Sequence, residues 1–422
     1  MTDPADVVIV GGGPAGLAVA SWLARWGHHA VMVDRGRRRR RTIGADAAEP
    51  LPWGLSVSPR AVQRLIELGV DPLAQGWHRH GGARLHLDGR LLDVPWSADG
   101  GPLRTSVGVT RDVLARALSA RARQDGVSVL DEHEAVSAVI ERGFVRGTSV
   151  RSLADGSRRD LRAPFVIVAD GAGSTFGRAL GTLRTTNWPS LTTVQSTWPS
   201  DRGDEGWMEV RTGVVDPEGE RLTAITTVTP LGEGRVSVEV AVPSTSRHSA
   251  SINVAGLFDQ VAQGLAPDWG LDLSRPGGRQ RSERLPVGLS IRPHAGPTFL
   301  VIGNAVGAVN PFNGDGLAFG LESARLAAEA VHIALRDGDP MALATYSREL
   351  EQRLGGFFKL GRFALRTLGH TRAVDTIVGL AGRTPRTTAR VARFMAGLAD
   401  VATPADPAQR AALALARSLP EA

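Results

Sequence analysis

The sequence predicts an α/β protein. A doubly wound, Rossmann-like dinucleotide-binding domain is interrupted by a mainly antiparallel β-sheet domain and followed by a C-terminal helical region. Three observations predict this. The β-branched run Val7-Val8-Ile9-Val10 leads through a Gly-rich turn into an Ala/Leu-rich helix, two later apolar runs (Phe165 to Ala169 and Phe299 to Ile302) also enter Gly-rich loops, and residues from about 185 to 285 alternate strand-like segments with Gly/Pro turns. The expected division is a discontinuous dinucleotide-binding domain over 1–78, 101–182 and 285–345, a substrate-binding sheet domain over 79–100 and 183–284, and helices over 346–422.

Each element has a local reason. Val7 to Val10 suits a strand buried on both faces of a parallel sheet, Leu17 to Trp26 a helix stopped near Gly27, and Ala30 to Asp34 a second strand. From Pro59 a helix over Ala61 to Leu68 stops at Gly69, and strands follow around Ala83 to Leu87 and Leu91 to Val94. Thr110 to Arg123 reads as a helix, with Asp112 in its first turn and Leu114 and Leu118 four apart. Val127 to Arg162 reads as strands and a hairpin turning at Asp155-Gly156. Leu222 to Thr229 and Arg235 to Val242 are strand-like, Gly303 to Gly320 is a Gly/Asn-rich loop, and Leu321 to Leu335 is a helix. Tyr346 to Leu398 is mostly helical, interrupted around Gly369 and Pro385.

Composition excludes several chemistries. The 422 residues, 42% hydrophobic and 22% charged, can build two or three units with a large core. With no cysteine there is no disulfide framework, no thiolate-bound zinc or iron–sulfur site and no thiolate nucleophile, so redox work needs a borrowed cofactor. The acidic start, and the lack of an apolar run approaching the roughly 18 residues that span a bilayer, lead us to expect a cytoplasmic protein. The net charge of +6 is almost wholly arginine, Lys359 being the only lysine, and favours encounters with phosphates, acidic carrier proteins or a membrane surface. The run Arg37 to Arg41 is short, with no interleaved aromatics, and no nucleic-acid partner is expected.

The chemistry begins at Gly11-x-Gly13-x-x-Gly16. Gly11 permits the sharp turn, Gly13 lets backbone amides approach a pyrophosphate, Gly16 allows close helix–strand packing, and the helix N-terminus supplies partial positive charge. Asp34 ends the next strand 18 residues after Gly16, where a carboxylate accepts ribose hydroxyls. This unit reads as a site for an adenine dinucleotide.

Two later loops narrow the choice. Asp170-Gly171-Ala172-Gly173-Ser174 follows one buried strand, and Gly303-Asn304-Ala305-Val306-Gly307 with Asn310-Pro311-Phe312-Asn313-Gly314-Asp315-Gly316 follows another. With these the chain resembles the FAD-dependent oxidoreductases of the p-hydroxybenzoate hydroxylase fold, and within them it is most similar to the geranylgeranyl reductase-like branch. The stretches Ser58 to Val62 with Leu68-Gly69, Arg111 to Leu114, Ala169 to Leu180, Val309 to Leu326 and Phe357 to Leu368 carry the likeness over most of the chain. The resemblance implies FAD as cofactor. It would be held by Gly11, Gly13, Pro14, Ala15, Gly16, Asp34 and Arg35, with Arg111 at the ribityl or pyrophosphate region and Asp170 supporting the dinucleotide. Asn304, Pro311, Gly314, Asp315 and Gly316 complete the set, the amides around Gly314 to Gly316 facing N1 and the C2 carbonyl of the isoalloxazine.

The chain departs from that pattern in three places. Asn304 stands where the family usually has Asp, and its amide oxygen can still accept a ribityl hydroxyl. Gly177 occupies the usual Arg place of the Asp-Gly motif, with Arg178 one later. The reductase branch's Cys-Gly-Asp-Gly-like segment and aromatic substrate motif correspond to Ile43-Gly44-Ala45-Asp46-Ala47 and Thr227 to Gly232, which keep only Gly44, Asp46, Pro230 and Gly232.

On this platform the sequence favours oxygenation of a small hydrophobic molecule, a specialised metabolite, by a monooxygenase that hydroxylates or epoxidises. The alternative is geranylgeranyl reductase-like saturation of C=C bonds in an isoprenoid, with Asp46 as the candidate catalytic proton relay, and the third reading is a flavoprotein whose FAD is not used for redox chemistry. No second Gly-x-Gly-x-x-Gly unit is present, so electrons would come from transiently bound NAD(P)H or a separate reductase. His78, His80, Thr227 and Thr229 are candidate substrate contacts. No carboxylate–histidine cluster joins His78-Arg79-His80, and no metal is expected. Leu354, Phe357, Phe358, Leu365 and Leu368 form a helical stripe for packing over the FAD domain or for a membrane interface.

Overall fold

The structure is a computed structural model that describes residues 5–36, 53–87, 90–97, 104–185, 188–215, 222–246, 249, 251–274, 280–368, 384–398, 401 and 406–418. Its first layer is a five-stranded parallel sheet in the order Phe299–Val301, Phe165–Val168, Val7–Val10, Ala30–Val33, Ser128–Leu130. The first four are buried along their whole length, because helices pack on one face and the three-stranded antiparallel sheet Arg158–Arg162, Phe144–Ser152, His133–Glu141 packs against the other. The helix Pro14–Arg25 packs against Gly316–Asp337, which starts five residues before the predicted Leu321 because Asp315 caps it, its Oδ1 accepting from the Ala318 amide at 3.0 Å. The helix Pro59–Glu67 is fastened to it by Arg64, whose guanidinium lies 2.8 Å from buried Glu322. Tyr346 closes the same core and donates its hydroxyl to the Val301 carbonyl at 2.7 Å.

The second layer is a seven-stranded sheet, Arg281–Pro286, Ser190–Pro199, Arg235–Pro243, Ile225–Gly232, Trp207–Arg211, Gly82–Leu87, Arg90–Pro95. It is antiparallel except where Trp207–Arg211 meets Gly82–Leu87 in parallel. The strand expected over Leu222 to Thr229 begins at Ile225 and runs on to Gly232.

The expectation of strands alone between 185 and 285 is corrected by Val254–Trp269, a 16-residue helix. Gly256, Gly264 and Pro267 disguise it, yet Leu257, Phe258, Ala262, Leu265 and Trp269 make one buried stripe against Val194, Trp198, Val236, Val238 and Val240 of the sheet. Pro267 sits in the last turn, and the left-handed Gly270 ends the helix.

Between the layers lies a short sheet, Gly54–Val57, Ser106–Thr110, His78–His80. The C-terminal stripe turns inward: Leu354, Phe357, Phe358 and Leu365 are buried, and Phe357 stacks on Phe319 with ring centroids 5.8 Å apart. Leu368 ends the helix Gly356–Leu368, and residues 369–383, where an interruption is expected near Gly369, lie outside the described residues. No described helix is long and apolar enough to cross a membrane.

Candidate functional site

Three adjacent strands of the parallel sheet deliver three loops to one edge. The ladder continues past each strand end: Gly11 N–H donates to Val33 O at 2.9 Å, Ala169 N–H to Val10 O at 2.8 Å and Ile302 N–H to Val168 O at 2.9 Å. The Gly11 turn, the Asp170 loop and the Gly303 to Gly316 loop therefore lie side by side at the carboxyl end of the sheet. The chain winds outward in both directions from Val7–Val10, which opens a crevice there.

Gly11 has φ +111°, and a side chain on it would strike the backbone at Ala169. Gly13 caps the helix Pro14–Arg25 with no side-chain hydrogen bond, and no protein atom lies within 4 Å of where its Cβ would point. That side of the helix start is open. Ala15 meets the Gly303 backbone from the other side, a Cβ on Gly303 falling 2.9 Å from that of Ala15. Asp34 folds over the turn, a Cβ on Gly12 falling 2.6 Å from its Oδ2. Burial holds the Asp34 carboxyl above its usual range and Asp131 adds to this, while amides of Gly12 and Gly36 donate to it and act the other way. Arg35, next along, is exposed.

Asp170 accepts from the Phe176 amide at 2.9 Å through Oδ2, while Oδ1 is buried with no hydrogen-bond partner among the described residues. A buried carboxylate oxygen left bare is costly unless a ligand donor reaches it. A side chain on Gly177 would collide with Ser174 Oγ, and Arg178 is exposed. Asn304 Oδ1 lies 2.7 Å from where Gly316 would place a Cβ, so this amide reaches the start of the helix Gly316–Asp337. Gly314 has φ +74° and faces Leu191 of the sheet. Pro311 turns instead to Gly288 and Gly361, packing the loop onto the C-terminal helix. Burial raises the Asp315 carboxyl above its usual range. The Arg111 amide donates to the Trp53 carbonyl at 2.8 Å, at the N-terminus of the helix Arg111–Gln124. The open space at Gly13, the bare Asp170 oxygen and half-buried Asp34 fit an adenine dinucleotide.

The substrate candidates separate. His80 is buried, pushed down to about 4 by burial, and its Nε2 pairs with the Pro230 carbonyl at 2.9 Å. His78 Nε2 pairs with the Glu205 carbonyl at 2.8 Å. Both rings are thus spent on backbone carbonyls, and among the described residues no His/Asp/Glu group could hold a metal. Thr227 lies opposite Glu239 and Thr229 opposite Ser237, on the sheet face that the Gly54–Val57 segment covers. Asp46, with the rest of 37–52 and the arginine run, lies outside the described residues.

Sequence reasoning missed Trp53, Gln195, Glu239 and Glu283. One signal was present: the strand Arg235–Pro243 alternates Val with other residues, and Glu239 is the carboxylate among its small neighbours Ser237 and Ala241.

A family model described as an FAD binding domain matches residues 4–355. The chain belongs to this family of FAD-binding proteins. It is a flavoprotein with an FAD-dependent oxidoreductase fold. This flavoprotein is 33% identical over 331 residues to a menaquinone reductase of Mycolicibacterium smegmatis, covering 78% of this chain and 76% of the relative. It is 23% identical over 354 residues to a digeranylgeranylglycerophospholipid reductase of Thermoplasma acidophilum, covering 82% of this chain and 83% of the other. Its fold matches a geranylgeranyl bacteriochlorophyll reductase-like crystal structure from Thermoplasma acidophilum, with TM-score 0.71, 21% identity and coverage of 97% and 96% of the two chains.

Proposed function

We propose that this flavoprotein saturates a carbon–carbon double bond in the isoprenoid chain of a hydrophobic acceptor. The observation that carries the reading is the likeness to the menaquinone reductase, which at 331 residues is too long to be confined to the cofactor loops. It outweighs the missing cysteine and aromatic segments that favoured oxygenation from sequence.

The surroundings of the late Gly-rich loop are apolar. Leu191, Leu285, Val287, Val309 and Leu365, with Ala172 packed against them, form an apolar junction where the sheet, the two later Gly-rich loops and the C-terminal helix meet. Bound and reduced, FAD would supply a hydride there. Asp34, Asp170 and the helix amides would hold the cofactor, and the sheet would shield the reacting carbons from water.

The test uses the FAD-loaded protein, reduced with dithionite, and a naphthoquinone bearing a polyprenyl tail. Under anaerobic conditions the product should gain two hydrogens in the tail. Product that forms only with O2 and carries its labelled oxygen would overturn the reading in favour of monooxygenation.

A further inference from the structure

The strand Arg235–Pro243 has two unlike faces. Val236, Val238, Val240 and Val242 pack under the helix Val254–Trp269, and Ser237, Glu239 and Ala241 point the other way. Gln195 lies directly opposite Glu239 on one neighbouring strand and Thr227 on the other, and Arg281 lies opposite Gln195. Directly opposed residues share a face. Gln195 donates to Ser237 Oγ at 3.0 Å and to the Gly54 carbonyl, so this face looks toward the segment beginning at Trp53, which in turn holds the Arg111 amide. Four residues back along the Gln195 strand, about 13 Å, Leu191 lies 3.6 Å from the Gly314 Cβ position. Glu239 thus occupies the sheet face that meets the late FAD loop at one end and Trp53 at the other.

The carboxylates on this face are not equivalent. Glu283 is ion-paired to Arg281 at 2.6 Å, and the Arg281 guanidinium sits 4.8 Å over the Trp53 ring. Glu239 has no hydrogen bond or ion pair among the described residues. Glu239 is not fully enclosed on this face, so water or a ligand can reach its carboxyl. Burial pushes the Glu239 carboxyl up to about 7 and Glu283 adds to the shift, while the covering segment Trp53 to Val57 brings no titratable group. Near neutrality it can hold a proton and release it.

We propose that Glu239 is the catalytic acid of the double-bond reduction, delivering its carboxyl proton to the substrate carbon that does not receive the hydride. The inference rests on the reductase reading above. The π bond breaks, one carbon gains the hydride supplied by reduced FAD and the other the Glu239 proton. The carboxylate left behind is reprotonated from solvent.

Two measurements test it. In the protein without substrate, the infrared band of a protonated glutamic acid, identified by its loss in Glu239→Gln, should titrate near pH 7, and Glu283→Gln should move that titration down. In the dithionite-reduced, FAD-loaded protein with the polyprenyl naphthoquinone, Glu239→Gln should lower the saturation rate by about a hundredfold or more, with FAD content unchanged and Glu239→Asp partly active. Saturation by Glu239→Gln at the wild-type rate, or a Glu239 band that titrates in the ordinary carboxylate range, overturns the assignment and leaves the reductase reading standing. Oxygen insertion by the wild-type protein overturns that reading itself, and the assignment with it.

Discussion

The Cα of Gly16 lies against the carbonyl oxygen of Gly11 with no room for a side chain between them, whereas Gly13, between the two in sequence, faces open space. One motif therefore contains two kinds of glycine. Gly16 is required by the fold, since the helix could not approach the turn otherwise, whereas the fold makes no such demand on Gly13.

Gly13→Val should accordingly fold with a melting temperature close to wild type and yet bind no FAD, its side chain standing where the pyrophosphate would lie. Gly16→Val should lose both. Flavin absorbance after purification, read beside thermal denaturation of both variants, checks this. A yellow Gly13→Val protein with full flavin content would show that the dinucleotide lies elsewhere.

Asp34→Ala should weaken FAD binding more than Asn304→Ala. A charge-assisted hydrogen bond is roughly twice as strong as a neutral one, and Asp34 is held against the turn by the amides of Gly12 and Gly36. Because burial keeps the free carboxyl above its usual range, FAD affinity should start to fall on acidification sooner than an exposed aspartate would allow. Dissociation constants from flavin fluorescence across pH give both results, and equal constants for the two variants would contradict the ranking.

Acid should destabilise the fold through its buried histidines. His80 and His294 are both pushed down to about 4, so the unfolded chain takes up their protons first. The stability this represents is complete above the unfolded value of about 6.5 and is lost as pH falls toward 4, on the order of 2–3 kcal/mol for each histidine. His80→Gln, which can still donate to the Pro230 carbonyl, should flatten part of that loss in melting curves taken between these pH values. An unchanged slope would mean that His80 holds its proton equally in the folded and unfolded chain.

Asp315→Ala should cost about 1 kcal/mol, because it removes the cap of the helix Gly316–Asp337, and Asp315→Ser should recover most of it. Urea denaturation of the three proteins makes the comparison. If Asp315→Ala has no effect on stability but lowers FAD content, the residue serves the cofactor and not the helix.

Short-range features were legible in the sequence. The strand–turn–helix unit at Val7 to Asp34, the two later Gly-rich loops and the helix starts at Pro59 and Arg111 all arise from nearest neighbours: β-branched runs, glycines at forced turns, caps and 3.6-residue spacing. The helix Val254–Trp269 was not legible, because its glycines and Pro267 contradict local propensity and its apolar stripe has meaning only against the sheet it covers. Likewise His78 and His80 form a suggestive pair in sequence, and tertiary structure alone gives both rings to backbone carbonyls. Glu239 is the converse case. In sequence it is one acid in a strand of valines; in the fold, strand pairing sets it beside Gln195 and two strands from the Glu283–Arg281 pair, and burial decides how tightly it holds its proton. The sequence by itself determined the backbone turns and the dinucleotide cradle, since those depend on atoms a few residues apart. Which polar groups are left bare beside that cradle was decided by the tertiary structure, because desolvation and charge pairing depend on residues that only folding brings together.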